Sequence, residues 1–319
     1  MPQGVDTYIP FPRRVSPDAD RATAGHLVWP SSFGLLRDLD AVRRHARGGY
    51  PELAGRFHPS ATGADLDLGV DQQSWFFLFD DAFDGSMGQD PERAKKLTHV
   101  VAEVLEAPSP PPPTRASPPL ALAFADLWER SRDGMSERWQ ARAAANWHAY
   151  LAGHVTEAAN RSGGVGPSST GHVTLRRDTC GVPPILDIAE RLGRFEIAER
   201  AYHSTLVTTL RHLAAEVVTL DNEIISLEKE EALGDNNLVL IIEREEHRSR
   251  TESITLICDM IRARTERFLA LERRLPQLCD SLRLDEAERA SQRRYQNDAL
   301  RTVMRGAHDW QQHCSRYTS

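Results

Sequence analysis

From Arg21 almost to its end, the chain repeats apolar residues at intervals of three and four. Within 254–269, Ile254, Ile257, Cys258, Ile261, Phe268 and Leu269 fall on one stripe, with Arg, Glu and Asp elsewhere. Within 205–220, Leu206, Leu210, Leu213 and Val217 do the same. This is the spacing of an α-helix that buries one face. Few stretches alternate with period two, β-hairpin signals are scarce, and there is no internal repeat. The pattern predicts an all-α bundle of about ten or more helices at typical helix lengths.

Breaks in the pattern mark the connections. Residues 1–20 are proline-rich and read as an extended arm. APSPPPPTRASPP at 107–119 excludes helix and central strand, because proline removes donors and fixes φ. It reads as a surface loop between helices, with a domain boundary as the alternative, so 1–319 is taken as a single domain. RSGGVGPSSTG at 161–171 reads as a mobile loop and lacks the GK[ST] ending of a phosphate-binding loop.

Composition narrows the function. The chain has 319 residues, 40% hydrophobic and 27% charged, as expected of a globular protein. Its net charge of −7, from 46 acidic and 39 basic residues, leaves no electrostatic footprint for nucleic acid. An anionic substrate would need metal ions or a few placed Arg and Lys. Cys180, Cys258, Cys279 and Cys314 form no CxxC pair and read as free thiols. The start lacks a secretory h-region and no run is long and apolar enough to span a membrane, so a cytoplasmic protein is expected.

Two clusters can carry chemistry. SWFFLFDDAFD sets Asp80, Asp81 and Asp84 behind a strongly apolar helix face. Asp80 and Asp84, four apart, point the same way. The nearest cations in sequence are Arg93 and Lys95, so these acids suit Mg²⁺, which bridges carboxylates to substrate phosphates. Taken alone, they also fit a solvated helix end. LDNEIISLEKE places Asn222, Ser226 and Glu230 at i, i+4 and i+8 on what reads as one long helix. Each step of four advances about 6 Å along the axis and about 40° around it, so the three share a face. Amide, hydroxyl and carboxylate oxygens suit Mg²⁺ rather than zinc. Lys229 stands beside them for a phosphate. Alone, this segment also fits an ordinary amphipathic helix. Together the clusters form a two-sided clamp for a diphosphate.

With both clusters in view, the chain resembles class I terpene synthases. DDAFD is similar to their aspartate-rich motif and NEIISLEKE to their Asn/Ser/Glu metal triad. RGGY, ATGADLDLGVD, AERLGRFE, SLEKEEA and RTVMRG extend the resemblance over nearly the whole chain, toward bacterial sesquiterpene cyclases of the pentalenene synthase type. Glu223 stands where that family usually has Asp, and is not expected to be a ligand. The resemblance implies a helical bundle around a central hydrophobic cavity. It implies three Mg²⁺ ions held by Asp80, Asn222, Ser226 and Glu230, with Asp84 in support. It implies that Arg176 senses the diphosphate, that Arg316 and Tyr317 donate to it, and that the residue at Cys180 presents a backbone carbonyl.

The residues around these positions fit such a role. Gly181-Val182-Pro183-Pro184 breaks a helix after Arg176, and a broken helix exposes carbonyls whose negative ends can face a carbocation. Arg177 reads as solvent-facing. Phe76 and Phe77 lie about one turn before Asp80, and Trp310 about two turns before Arg316 if the segment is helical. The resemblance makes these three pocket-lining aromatics, while Trp75, Phe79 and Phe83 read as core. Gln311 stands where related enzymes tend to carry a histidine, and an amide is no base at neutral pH.

The expectation is a sesquiterpene cyclase acting on farnesyl diphosphate, with a cyclic product such as pentalenene or a different sesquiterpene. It would be a monomer or weak homodimer. A chain-elongating prenyltransferase is the rival enzyme, but it normally needs a second Asp-rich motif. A non-catalytic helical scaffold is the third reading.

Overall fold

The computed structural model describes residues 5, 7–83, 88, 90–106, 117–163, 166–314 and 316. The fold is all-α, with no strand among the described residues. Helices α1 (Ala19–Gly25), α2 (Val28–Ser32), α3 (Leu39–Arg47) and α4 (Tyr50–Phe57) lead into α5 (Gly63–Phe83). Next come α6 (Pro91–Glu106), α7 (Pro119–Arg132), α8 (Glu137–Gly163) and α9 (Ser169–Thr179). They are followed by α10 (Val182–Gly193), α11 (Glu199–Tyr202), α12 (Thr205–Ile225), α13 (Leu227–Leu233) and α14 (Leu238–Glu246). The last are α15 (Arg250–Glu272), α16 (Leu275–Ser281) and α17 (Glu286–Tyr295), then a π turn over Gln296–Leu300 and α18 (Arg301–Gln311).

The expected stripes are the buried faces. In α15, Ile254, Ile257, Ile261 and Phe268 are buried, with Cys258 and Leu269 at the margin. In α12, Leu210, Leu213 and Val217 are buried and Leu206 lies at the edge. These two helices pack against each other. Helix α5 differs, because Leu66, Leu68, Val70, Trp75, Phe76 and Phe79 bury it all round. A helix apolar on every side belongs inside, and α4, α7 and α10 pack on it. Trp75 stacks on Phe79 at 4.6 Å, and its indole N–H donates to the Leu120 carbonyl at 2.9 Å.

The amino-terminal arm is extended but fastened. Ile9 and Phe11 are buried, and the Phe11 ring meets Phe268 edge-on at 5.7 Å. Arg305 of α18 donates to the Ile9 carbonyl at 3.0 Å. The segment 161–171 departs from expectation. Helix α8 continues to Gly163, and α9 starts at Ser169 with the Ser168 hydroxyl accepting from the Gly171 N–H at 3.2 Å. A capped serine here starts a helix where composition alone reads as loop. Of the proline-dense segment, 107–116 lie outside the described residues, and Pro119 opens α7, where no N–H is missed.

Candidate active site

Asp80 and Asp81 close the last turn of α5, where the helix dipole disfavours negative charge. Sequence neighbours offer no compensation, but space does. The Arg316 guanidinium lies 2.9 Å from Asp80 Oδ2 and 2.7 Å from Asp81 Oδ1. It also sits 4.7 Å over the Phe77 ring and hydrogen-bonds with the Tyr50 hydroxyl. Burial pushes the Asp80 carboxyl up, but Arg316, then Lys229, His154 and Arg176, outweigh it and hold the group below its ordinary range. The reading of these acids as lacking a nearby cation is therefore corrected, because the partner lies 236 residues away in sequence.

The second cluster is not one continuous helix. α12 ends at Ile225, Ser226 stands between, and α13 carries Lys229 and Glu230. The Ser226 hydroxyl donates to the Asn222 carbonyl at 2.7 Å, a back-bond that bends helices. The register nevertheless survives. Ser226 N donates to Asn222 O at 2.8 Å and Glu230 N to Ser226 O at 2.9 Å, so the i, i+4, i+8 alignment carries across. Asn237 caps α14 and its side-chain amide donates to Glu230 Oε2 at 2.8 Å. Burial, with Glu223 adding to it against Arg176, pushes Glu230 up to about 8.

Behind this face lies Glu223, which is buried. Its Oε1 is 3.2 Å from Arg176 Nε and 3.0 Å from His172 Nε2, and its Oε2 accepts from the Leu238 N–H at 2.5 Å. Burial pushes it up, but His172 and Arg176 override this and hold it below its ordinary value. Arg176 also donates to Asn222 Oδ1 at 3.1 Å.

Two prolines stop α9 at Thr179. In an unbroken helix the carbonyls of Thr179 and Cys180 would accept from residues 183 and 184, and both are prolines without an N–H. Gly181 takes φ +73°, and helical bonding resumes with Ile185 N to Gly181 O at 3.2 Å. A Cβ on Gly181 would stand 3.3 Å from the Phe76 ring, so glycine serves both the turn and the close approach.

Two cavities meet here. One is largely apolar, with about 760 Å³ of space including its open mouth. Phe76, Phe77, Cys180 and Trp310 are in its wall. The other, polar, is bordered by Lys229, Glu230 and Arg316. Asp80, Arg176 and Asn222 belong to both. The donor set fits a hard divalent cation. Burial, with Glu223 beside it, keeps a proton on Glu230 near neutral pH, and a cation at its oxygens would displace it.

The terpene synthase family 2, C-terminal metal binding, profile matches residues 72–267, which span both clusters. Pentalenene synthase of Streptomyces arenae is 48% identical over 99% of this chain and 94% of its own length. A (−)-β-caryophyllene synthase of Saccharothrix espanaensis is 39% identical over 100% and 90%. The structure of linalool/nerolidol synthase from Streptomyces clavuligerus in complex with 2-fluorogeranyl diphosphate superposes with a TM-score of 0.87 at 36% identity, covering 98% of this chain and 100% of that one.

The chain belongs to the terpene synthase family.

As its family profile implies, the synthase uses divalent metal. Its fold is the all-α class I terpene synthase bundle. Ser226 is buried beneath Asn222 and Glu230 and borders neither cavity. Asp84 and Tyr317 lie outside the described residues. Arg177, expected to face solvent, is half-buried beside Glu216 at 3.4 Å, with exposed guanidinium contacts to His212 and Thr174, and borders neither cavity. Trp75, Phe79 and Phe83 are core. The route from Trp310 to Arg316 is not helical throughout. α18 ends at Gln311, and the Trp310 carbonyl accepts from both His313 N and Cys314 N at 3.0 Å.

Sequence reasoning missed Tyr50, Glu223 and Asn237. For Tyr50 the signal was present in RGGY. The Trp310 N–H of the synthase donates to the Gly48 carbonyl at 3.0 Å, and Tyr50 stacks on Phe77 at 4.7 Å. No helix of the synthase is long and apolar enough to cross a membrane, among the described residues.

Proposed function

We propose that the synthase, read as one cyclase domain, ionises farnesyl diphosphate and closes it into a cyclic sesquiterpene. The product suggested by relatives at 47–48% identity is pentalenene. One observation carries this reading: Asp80, Arg176 and Asn222 belong at once to a polar cavity and an apolar one, so a diphosphate and its hydrocarbon tail can be gripped on either side of the bond to be broken.

Asp80 with Asp84, and Asn222, Ser226 and Glu230, would hold three Mg²⁺ ions. When bound, these neutralise charge on the departing diphosphate as Lewis acids. Arg176, Lys229, Arg316 and Tyr317 donate to its oxygens. The rings of Phe76, Phe77 and Trp310 shelter the cation without being alkylated, and the Cys180 carbonyl faces it. Gln311 removes no proton, so the released diphosphate takes it. The enzyme works in the cytoplasm, as a monomer or weak homodimer, with no nucleic-acid partner.

The test is to incubate pure protein with farnesyl diphosphate and Mg²⁺ and analyse the extract by gas chromatography–mass spectrometry. One dominant cyclic C15 hydrocarbon, lost when the metal is chelated, is expected. Unreacted substrate overturns the reading, and a lengthened chain on adding isopentenyl diphosphate would make the protein a prenyltransferase. A cyclic product other than pentalenene overturns only the product assignment.

A further inference from the structure

Arg176 and Arg177 are neighbours on α9, and successive helical residues point about 100° apart. Arg176 borders the two cavities of the candidate active site, whereas Arg177 borders a separate cavity on the other side of the helix. That outer cavity has about 790 Å³ of space including its open mouth, and none of its lining residues belongs to the other two. Asn146 of α8, Arg177 of α9, Leu186 of α10, Tyr202 of α11, and Arg211 and His212 of α12 stand in its wall.

The chain carries a net charge of −7, yet positive charge prevails here. Arg177 Nε lies 3.4 Å from Glu216 Oε1, but the other oxygen of that carboxylate accepts from Arg264 Nε at 2.5 Å. One acid thus serves two guanidiniums. Arg177 Nη1 lies 3.3 Å from His212 Nδ1. Arg211 makes no ion pair among the described residues. It donates through Nη2 to the Tyr202 carbonyl at 3.5 Å and to Thr208 Oγ1 at 3.3 Å, both long for hydrogen bonds. Its Nε is buried without a partner among the described residues. The guanidinium lies 3.6 Å over the Tyr202 ring, which fixes its plane. Asp187, which Arg211 meets only at longer range, accepts from Asn146 at 2.7 Å.

His212 reports the local balance. Burial, then Arg177 and Arg211, hold its imidazole below the ordinary value against the opposing pull of Glu216 and Asp178. At that ring two guanidiniums outweigh two carboxylates.

We infer that the outer cavity is an anion site that takes a phosphate group between Arg177 and Arg211, with His212 at its rim. A guanidinium carries five N–H donors in a planar fork matched to such oxyanions, and here the two forks come from different helices. A bound phosphate therefore ties α9 to α12 from outside the active site. The group is either free phosphate or the end of a released diphosphate. The site is independent of the reaction proposed above, because it shares no wall residue with the cavities assigned to that reaction.

The test follows the His212 imidazole by NMR in metal-free protein, titrated with inorganic phosphate and separately with inorganic diphosphate at constant ionic strength. The chain has 12 histidines, and the signal lost in His212→Asn identifies the one to follow. A saturable shift is expected, with the His212 midpoint rising by about one pH unit as an anion offsets the repulsion. Arg177→Gln and Arg211→Gln should each weaken phosphate at least about tenfold, and either alone carries the test if the other fails to fold. Arg316→Gln, in the active site, should leave the response at His212 as it is. Tighter binding of diphosphate assigns the released product as the source, and tighter binding of phosphate assigns the free ion. No His212 response to either anion, an equal response to chloride, or wild-type affinity in the folded arginine variants overturns the site.

Discussion

The two walls of the polar cavity are built in opposite ways. On the α5 side, Asp80 and Asp81 are each 48% exposed at the side chain and balanced by Arg316, a group proposed to bind the substrate as well. On the α12 side, Glu223 is 1% exposed. It holds His172, the Leu238 N–H and the Nε of Arg176, whose terminal N–H groups are left for a diphosphate. The first wall is balanced by a cation that metal and diphosphate would take over. The second is preset by buried groups. An exposed ion pair is worth about 1 kcal/mol or less, whereas leaving a buried charge without its partner costs about 3–5 kcal/mol. Rearrangement on ligand binding therefore belongs to the Asp80 side.

This contrast is open to test at several strengths. Glu223→Ala should have the largest effect, about 3–5 kcal/mol of stability and a melting temperature roughly 5–10 °C lower, with activity lost in proportion to the misplacement of Arg176. Asp81→Ala should cost about 1 kcal/mol or less. If calorimetry found equal losses, the asymmetry of the walls would be wrong. Arg316→Gln should cut turnover about a hundredfold, yet let Mg²⁺ alone bind several-fold more tightly by titration calorimetry, since a competing cation is gone from Asp80. Unchanged Mg²⁺ affinity would mean that Arg316 does not occupy that wall.

The smallest effect concerns pH. Glu230, raised from 4.5 to about 8, keeps a proton in the folded protein that the unfolded chain has already lost. Without metal, stability is fully present below about 4.5 and falls as pH rises toward 8. Glu190, also raised to about 8, and Asp71, raised to about 7, act in the same direction. Glu230→Gln should therefore flatten the slope of melting temperature against pH only in part. Mg²⁺ with diphosphate should bind with release of a proton below pH 8, measured in buffers of different ionisation enthalpy.

What could be read in the sequence was local. The stripe in α15 and the i, i+4, i+8 spacing of Asn222, Ser226 and Glu230 depend on helical period alone, and the period survived the bend at Ser226. The break after Thr179 was legible because two prolines have no N–H wherever they stand. The pairing of Arg316 with Asp80 was not legible, because it closes across 236 residues. Nor was the work of Glu223, which reads as one more acid in a charged stretch until Leu238, His172 and Arg176 are folded around it. The loop expected at 161–171 shows the reverse case, where composition outvoted a capping serine.

The fastening of Trp310 to the Gly48 carbonyl spans 262 residues, and the arm that grips α18 through the Ile9 carbonyl spans 296. During synthesis on the ribosome, the hollow that shelters the substrate therefore stays open on one side until residues 301–316 have emerged. Until then the Tyr50 and Phe77 rings lack the Trp310 ring that packs on them in the folded protein.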